Sequence, residues 1–386
     1  MKIEVAKVDL EVALSVVSIA AATGGTDLSS HYLFRIKDGK AEILSCDGRV
    51  FARSPLVATV DGDDGSSFTV EAWRMDKWVA AIADGTVTFS ADGSGDVQAA
   101  AGRSKTRLRS LDPAKFPYWD NILKLAKNVG SISPKSLSHA LGLTKGFVST
   151  EDTAKPELCQ VEAIKGVLWA TDRRALSAAE ITALPDLSLR IPGKEIPSVI
   201  RFLNDKHTQE NDVTILEAER SFDDGGGAFA VFERTDGSYL GVNRPTSKFP
   251  TLNMDKDAVG DALLELDRAE FESAIAVLSA GAPKGHEAIT FSYNEKSNTV
   301  SLSMPCEAGG TDEYPLTLAK VTEKNGKFDT AFTVDYPYIK GISTVFGLDQ
   351  LSFTIKKHGR GGYIAFRHED DGAKPNKYTS VLVWRT

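Results

Sequence analysis

The side chains with intrinsic reactivity are few and scattered. Six histidines (His31, His139, His207, His286, His358, His368) and three cysteines (Cys46, Cys159, Cys306) fall at no shared spacing. A metal centre gathers its ligands through short motifs such as CxxC or HExxH, and neither is present, so no zinc site or disulfide framework is indicated. The histidines read as surface or loop residues. Acyl transfer, phosphate cradling and dinucleotide binding would leave GxSxG, GxxxxGK[ST] or GxGxxG, and none occurs. The acidic runs DGDDG (Asp61–Gly65) and HEDDG (His368–Gly372) lack EF-hand spacing and read as solvated hairpin tips. Gly225–Gly227 reads as a flexible turn before a strand. No catalytic residue, metal or cofactor is expected.

What the sequence does supply is cations in a pattern. Arg103, Lys105, Arg107 and Arg109 alternate, which places all four on one face of a strand, either to meet phosphate or as a solvated face. A formal net charge of −8 argues against nucleic-acid binding by the whole surface, yet leaves room for a local positive patch. With 42% hydrophobic and 25% charged residues, the composition is that of an ordinary globular protein. Cysteine usage fits a reducing cytoplasm. The opening MKIEVAKVDL lacks the apolar core of a signal peptide, and no apolar run is long enough to span a bilayer, so a soluble cytoplasmic protein without a membrane partner is expected.

The elements that carry these cations repeat. GRSKTRLRSLDPAKFP (Gly102–Pro117) has a counterpart in GSYLGVNRPTSKFP (Gly237–Pro250), the two prolines being 133 positions apart (250 − 117). Asp47 in SCDGR and Asp172 in ATDRR are 125 apart (172 − 47), so two landmarks agree on a period near one third of the chain. Each third reads as strand, helix, strands, helix, strands. The first helices are expected at Asp9–Ala21, with Asp9 as N-cap, at Ser133–Ser149, and after the cap-like Asp267. The second helices are expected in EAWRMDKWVAAIADG, Pro192–Asp205 and VDYPYIKGISTVFG, Pro197 weakening the first turn of the middle one. Asp38-Gly39, Asp47-Gly48 and Lys165-Gly166 read as hairpin turns.

GRSKTRLRSLDPAKFPYWD, LWATDRRALS (Leu168–Ser177), RIPGKEIPSVIRFL (Arg190–Leu203) and the terminal YTSVLVWRT together resemble the beta sliding clamp of bacterial DNA polymerase III, a family that bacteriophages also carry. The resemblance runs the full length and is looser in the last third. It implies an α+β fold of three tandem clamp domains (1–126, 127–256, 257–386), helices inside and antiparallel sheets outside. Two chains would close head to tail into a six-domain ring around double-stranded DNA. Enclosure holds DNA without sequence readout, so the bore needs only phosphate-attracting charge. The DNA-binding candidates are Arg74, Arg103, Lys105, Arg107, Lys135, Lys145, Lys194 and Arg201, with Lys194 and Arg201 matching basic positions of the family. Against them stand Asp9 and Glu11 on the first helix, and Asp267, Glu270 and Glu272 beside the single Arg268.

The resemblance also implies a non-catalytic processivity factor that holds a replicative polymerase, and meets a clamp loader, through a linear peptide in an apolar pocket. Carried over, the pocket would use Leu158, Thr171, Arg173, Arg174, Ala175, Leu176, Pro250 and Met254. Its other side would be Tyr336, Val381, Leu382, Val383, Trp384 and Arg385. Arg173 stands where the family has glycine and Ala175 where it has arginine, while Val383 and Trp384 replace a terminal proline and methionine. Pro156 and Glu157 replace a DNA-touching aromatic pair. Without the resemblance, Val381–Trp384 reads as a buried edge strand. The rival reading is a non-catalytic tandem β-rich interaction or structural adaptor. The dimer seam is expected near Arg103–Arg109 and Asp267–Ser279.

Overall fold

In the computed structural model, which describes every residue except 92–94, 118, 151–154, 182–183, 185, 207–210, 221–226, 251–260, 284–287, 295, 318, 323–330, 346–347, 359–360, 370–376 and 386, a strand leading straight into a helix recurs along the chain. The first such pair is β1 (Lys2–Ala6) with α1 (Lys7–Val17). Four strands follow, β2 (His31–Lys37), β3 (Lys40–Cys46), β4 (Val50–Leu56) and β5 (Ala58–Asp61). Next, β6 (Ser67–Glu71) enters α2 (Ala72–Ala81), and β7 (Thr86–Ala91), β8 (Asp96–Ala101) and β9 (Ser104–Arg109) come after it. A connector with the short α3 (Asp120–Lys124) reaches β10 (Lys127–Ile132) and α4 (Pro134–Thr144). The order then repeats with β11 (Gln160–Ile164), β12 (Val167–Thr171), β13 (Ala175–Glu180) and β14 (Leu189–Pro192), the last turning into α5 (Ile196–Leu203). After β15 (Val213–Arg220), β16 (Gly227–Glu233) and β17 (Tyr239–Asn243), it returns as β18 (Ala262–Asp267) with α6 (Arg268–Gly281). Finally come β19 (Ala288–Asn294), β20 (Thr299–Pro305), β21 (Thr311–Leu316), β22 (Lys320–Thr322), β23 (Ala331–Asp335) with α7 (Tyr336–Val345), β24 (Gln350–His358), β25 (Gly361–Glu369) and β26 (Lys377–Arg385).

Contacts divide the chain into two compact units, Met1–Ser138 with Leu189–Thr246, and His139–Ser188 with Ser247–Thr386. In the first, antiparallel strands run in the order β5-β1-β7-β8-β9 in one sheet and β10-β15-β16-β17-β4-β3-β2-β6 in another. Leu10 and Leu14 of α1 and Met75 and Val79 of α2 share a core with Ile3, Phe89 and Leu108 of the first sheet and Tyr32, Phe34 and Phe68 of the second. The other face of the second sheet carries Leu33, Leu44, Phe51 and Val231, covered by Phe116, Trp119 and Ile122 from the connector. Trp119 stacks on Phe51 at 4.0 Å and donates to Cys46 Sγ at 3.2 Å. Neighbours such as Leu33 and Phe34 thus enter different cores, which is why HYLFRI is apolar almost throughout and shows no alternation.

In the second unit the strand order is β11-β12-β13-β26-β23-β19-β20-β21, and β26 also pairs with β25, which leads on to β24, β18 and β22. Phe291 stacks between Phe271 and Phe332 at 6.2 and 5.0 Å. Tyr378 is buried, its hydroxyl 3.3 Å from the Leu143 carbonyl and 3.2 Å from Ser177 Oγ.

Both sequence landmarks have a structural cause. Asp47 Oδ1 accepts the amides of Arg49 and Val50 at 2.9 and 2.8 Å, and Asp172 Oδ1 accepts those of Arg174 and Ala175 at 2.8 and 2.9 Å. The same side-chain turn is therefore built twice. The Lys-Phe-Pro endings belong to connectors tied to a strand by side chains. Thr69 Oγ1 bonds both polar backbone groups of Leu111, while Gln160 donates to the Ser247 carbonyl and Glu162 accepts the Phe249 amide. Asp38-Gly39 and Lys165-Gly166 have φ of 53° and 71°, and 51° and 73°, the pair of left-handed residues that a two-residue type I′ turn needs.

Several expectations are corrected. The first helix starts at Lys7, with Ala6 as its cap, so Asp9 lies in the first turn, where its carboxylate favours the helix dipole. It ends at Val17, short of Ala21. Arg103 is in the β8–β9 turn, because that hairpin already closes with Ala101 opposite Ser104. Asp61–Gly65 joins β5 to β6, strands of two different sheets, and is no hairpin tip. Val381–Trp384 lies in β26, an interior strand paired with β13 and β25, so it is no sheet edge. His31 is buried, with Nδ1 2.7 Å from the Asp27 carbonyl, and so is not a surface residue. His207, His286 and Gly225–Gly226 lie outside the described residues. Pro197 is accommodated because it sits in the first turn of α5, where its missing N–H has no helical partner to lose.

Candidate functional site

The basic side chains fall on two different surfaces of the first unit. On β9, Leu108 points into the core and Ser104 meets Trp78 Nε1 of α2 at 3.2 Å. Lys105, Arg107 and Arg109, at the alternate positions, are exposed on the opposite face, where Arg107 pairs with Asp96 at 3.1 Å. The helices present the other surface. On α2, Arg74 and Lys77 are exposed, with the Lys77 ammonium 4.9 Å from the Trp73 ring centroid. Arg201 of α5 is exposed and donates to Ser18 Oγ at 2.8 Å, while Ser15 of α1 donates to Asp205 Oδ2 at 2.7 Å. These bonds set α5 beside α1. Asp76 of α2 accepts the Tyr32 hydroxyl at 3.0 and 2.9 Å. Burial raises the pKa of that carboxyl, against the opposing pull of the Tyr32 hydrogen bond and the Arg201 charge. Lys135 on the first turn of α4 and Lys194 in the turn before α5 are also exposed.

In the second unit, Lys145 is exposed in the turn after α4. The acidic residues of α6 are engaged locally. Asp267 caps the Glu270 amide, Arg268 pairs with Glu272 at 2.9 Å, and Glu270 Oε1 accepts the Thr317 amide at 2.7 Å. The exposed positions of the helix are Ala269, Ser273, Ala276, Val277 and Ala280, a neutral surface. The acidic side chains of the helix lie at its N-terminal end, where Glu272 remains 38% exposed beside Arg268.

The same unit gathers the peptide-pocket candidates. The β12–β13 turn is fixed from within: Asp172 caps it, Thr171 Oγ1 donates to the Ala175 carbonyl at 2.6 Å and accepts the Arg173 amide at 3.1 Å. From α7, Tyr338 donates its hydroxyl to Asp172 Oδ2 and stacks on Phe147 at 5.6 Å. Burial and the Asp172 bond both raise the Tyr338 pKa, so it remains a donor. Across the sheet, Leu176 pairs with Val381, which pairs with Ala365, and these three form an apolar cluster against the half-buried Trp169 and Tyr363. Leu158, Thr171, Ala175, Leu176, Tyr336 and Val381 are buried, Pro250 is half-buried, and Arg173 and Arg174 stand out from the turn. Leu382, Val383, Trp384 and Arg385 continue the backbone of β26, opposite Ala175, Tyr363, Gly362 and Gly361 respectively. Their side chains and Met254 lie outside the described residues. Tyr338, Trp169 and Tyr363 were not singled out in the sequence, where nothing separates them from core aromatics.

No cluster of metal-ligating side chains occurs among the described residues, and none of their helices is long and apolar enough to cross a membrane. No protein-family model matches the chain, and no curated protein matches it in sequence. Solved structures do. The DnaN sliding clamp (DNA polymerase III subunit beta) of Bartonella birtlesii, bound to griselimycin, superposes with a TM-score of 0.80 over 100% of this chain and 99% of that one, at 18% identity. The chain has the sliding-clamp fold. The DNA polymerase III subunit beta of Pseudomonas aeruginosa (TM-score 0.78, 18% identity, 100% and 99% coverage) and the DNA polymerase sliding clamp of Caulobacter crescentus (0.79, 18%, 100% and 100%) match this clamp fold end to end as well.

Proposed function

We propose that the chain is a sliding clamp, a non-catalytic cytoplasmic subunit that encloses double-stranded DNA and tethers the replicative polymerase for processive synthesis. The observation that carries this reading is the end-to-end match to polymerase III beta subunits. The recurrent strand-to-helix junctions support three clamp domains, 1–126, 127–256 and 257–386. A ring of two such chains needs open sheet edges. Among the described residues β9 ends one sheet and β21 ends another. β9 exposes Lys105, Arg107 and Arg109, and β21 exposes Asp312 and Glu313, so the edges of two copies are complementary in charge. With helices toward the bore, Arg74, Lys77, Lys135, Lys145, Lys194 and Arg201 would meet phosphate, and the β9 cations would serve the seam. Partners such as the polymerase and the clamp loader would dock by a linear peptide where the half-buried Trp169 and Tyr363 pack over the buried Leu176 and Val381.

The test is topological. The protein loaded on nicked circular DNA should stay bound through gel filtration and leave once the circle is cut. Equal retention on circular and linear DNA would overturn enclosure. In solution the mass should be near twice 41.6 kDa, and a monomer at all concentrations would overturn the ring.

A further inference from the structure

The candidate peptide surface carries one side chain that its turn does not need: the equivalent position in the Asp47 turn is Gly48, with φ of 89°. Arg173 adopts φ +77°, the left-handed region that a residue with a Cβ enters only under strain. The turn is already held by Asp172 and Thr171, so the arginine side chain adds nothing to its closure. Strain kept at a surface position is a pointer to function. Arg173 and its neighbour Arg174 have side chains 60% and 75% exposed, and their carboxylate partners are the partly exposed Glu157 at 3.2 Å and Asp335 at 3.7 Å. Such solvent-exposed pairs are weak and exchange readily for another carboxylate. Asp172, between them and the sheet in the same turn, is held by neutral donors, one oxygen on the turn amides and the other on the Tyr338 hydroxyl. Two residues along from Arg174, Leu176 begins the apolar row of Leu176, Val381 and Ala365, flanked by the half-buried Trp169 and Tyr363.

We propose that Arg173 and Arg174 determine specificity by selecting partner peptides that carry an aspartate or glutamate within a few residues of their apolar anchor. The inference rests on the peptide-docking reading above and adds the charge of the occupant. Exchange of Glu157 and Asp335 for the peptide's carboxylates would fix its register. A glycine at position 173 would give the same turn without strain and without this selection.

Three fluorescein-labelled peptides with identical Leu and Phe anchors, preceded by Asp-Glu, Ser-Ser or Lys-Lys, would be titrated against the full chain by anisotropy. The acidic peptide should bind about tenfold tighter than the neutral one at low salt, with the gap narrowing as salt rises. In the Arg173→Gly, Arg174→Gln double variant the ratio of acidic to neutral affinity should fall to within about twofold. Tyr363→Ser should weaken all three peptides together. Equal affinity for acidic and neutral peptides, or a preference that survives the double variant, overturns the selection while leaving peptide docking in place. Failure of all three to bind overturns both.

Discussion

The guanidinium of Arg234 lies 3.9 Å over the ring of Phe202, and its Nη1 stands 3.5 Å from Asp205 Oδ2. The arginine is buried, and burial lowers its basicity against the pull of Asp205 and Asp236. Asp205 also takes the Ser15 hydroxyl, so the charge pair underlies the bond that sets α5 beside α1. Removing one member of a buried pair strands the other. Arg234→Ala is expected to cost about 3–5 kcal/mol, read from urea midpoints. A loss below about 1 kcal/mol would mean that the pair contributes as little as a surface one.

Asp120 gives a pH dependence with a definite sign. Burial would raise its pKa, but hydrogen bonds from Arg35 at 2.8 Å and Lys37 at 3.0 Å outweigh it and hold the carboxyl below its usual range. A carboxyl depressed on folding stabilises above its unfolded pKa, and that stabilisation is lost as pH falls through the folded value. Between about pH 5 and pH 3 the parent should lose stability more steeply than Asp120→Asn. Because the group is partly solvated, the gap at neutral pH should be about 1 kcal/mol or less. Parallel melting curves for the two proteins across this range would remove Asp120 from the acid response.

Much of the fold was legible because it is written in local chemistry. Asp38-Gly39 and Lys165-Gly166 carry their own turn geometry, and the Asp47 and Asp172 turns are legible in the sequence as a repeat. What escaped was set by distant partners. Whether β26 is an edge depends on β13, some two hundred residues earlier, and His31 lies in β2 opposite Glu71 of β6. Lys105, Arg107 and Arg109 share one strand face as expected while Arg103 falls in the turn, and only the position of Leu108 in the core says which face it is. In the candidate peptide surface, β13 came from its own motif, whereas Tyr338 enters through a bond to Asp172 that no spacing announces.

Gly241 on β17 marks a close approach. A Cβ there would fall 1.9 Å from two atoms of the Phe51 ring, which is itself pinned against Trp119 at 4.0 Å. The ring cannot retreat without unstacking the connector from the sheet. Gly241→Ala should therefore cost about 2–3 kcal/mol, and Trp119 fluorescence should shift with it. An alanine variant as stable as the parent, with unshifted emission, would show that the core repacks freely.

If the β9 and β21 edges of two chains meet, Lys105, Arg107 and Arg109 face Asp312 and Glu313 across the seam. Exposed ion pairs are screened over a Debye length of about 8–10 Å, so the dimer should weaken as salt rises in sedimentation equilibrium. Lys105→Glu with Arg109→Glu should dissociate it, and Asp312→Lys with Glu313→Lys in the same chain should restore it. A dimer indifferent to salt and to these reversals would place the binding energy in apolar or backbone contacts.

Position 173 allows strain to be separated from contact. Arg173→Ala keeps the left-handed Cβ and deletes the Glu157 pair, which as an exposed pair is worth about 0–1 kcal/mol. Arg173→Gly deletes the same pair but relieves about 1–2 kcal/mol of left-handed strain, at an entropic cost of about 0.5–1 kcal/mol in the unfolded chain. The glycine variant should thus be up to about 1.5 kcal/mol more stable than the alanine variant, the reverse of the usual order in helices and strands. Urea midpoints of the two proteins decide it. Should alanine equal or exceed glycine, the turn relaxes out of the left-handed region when the arginine is gone, and the strain belongs to the Arg173–Glu157 contact rather than to the turn.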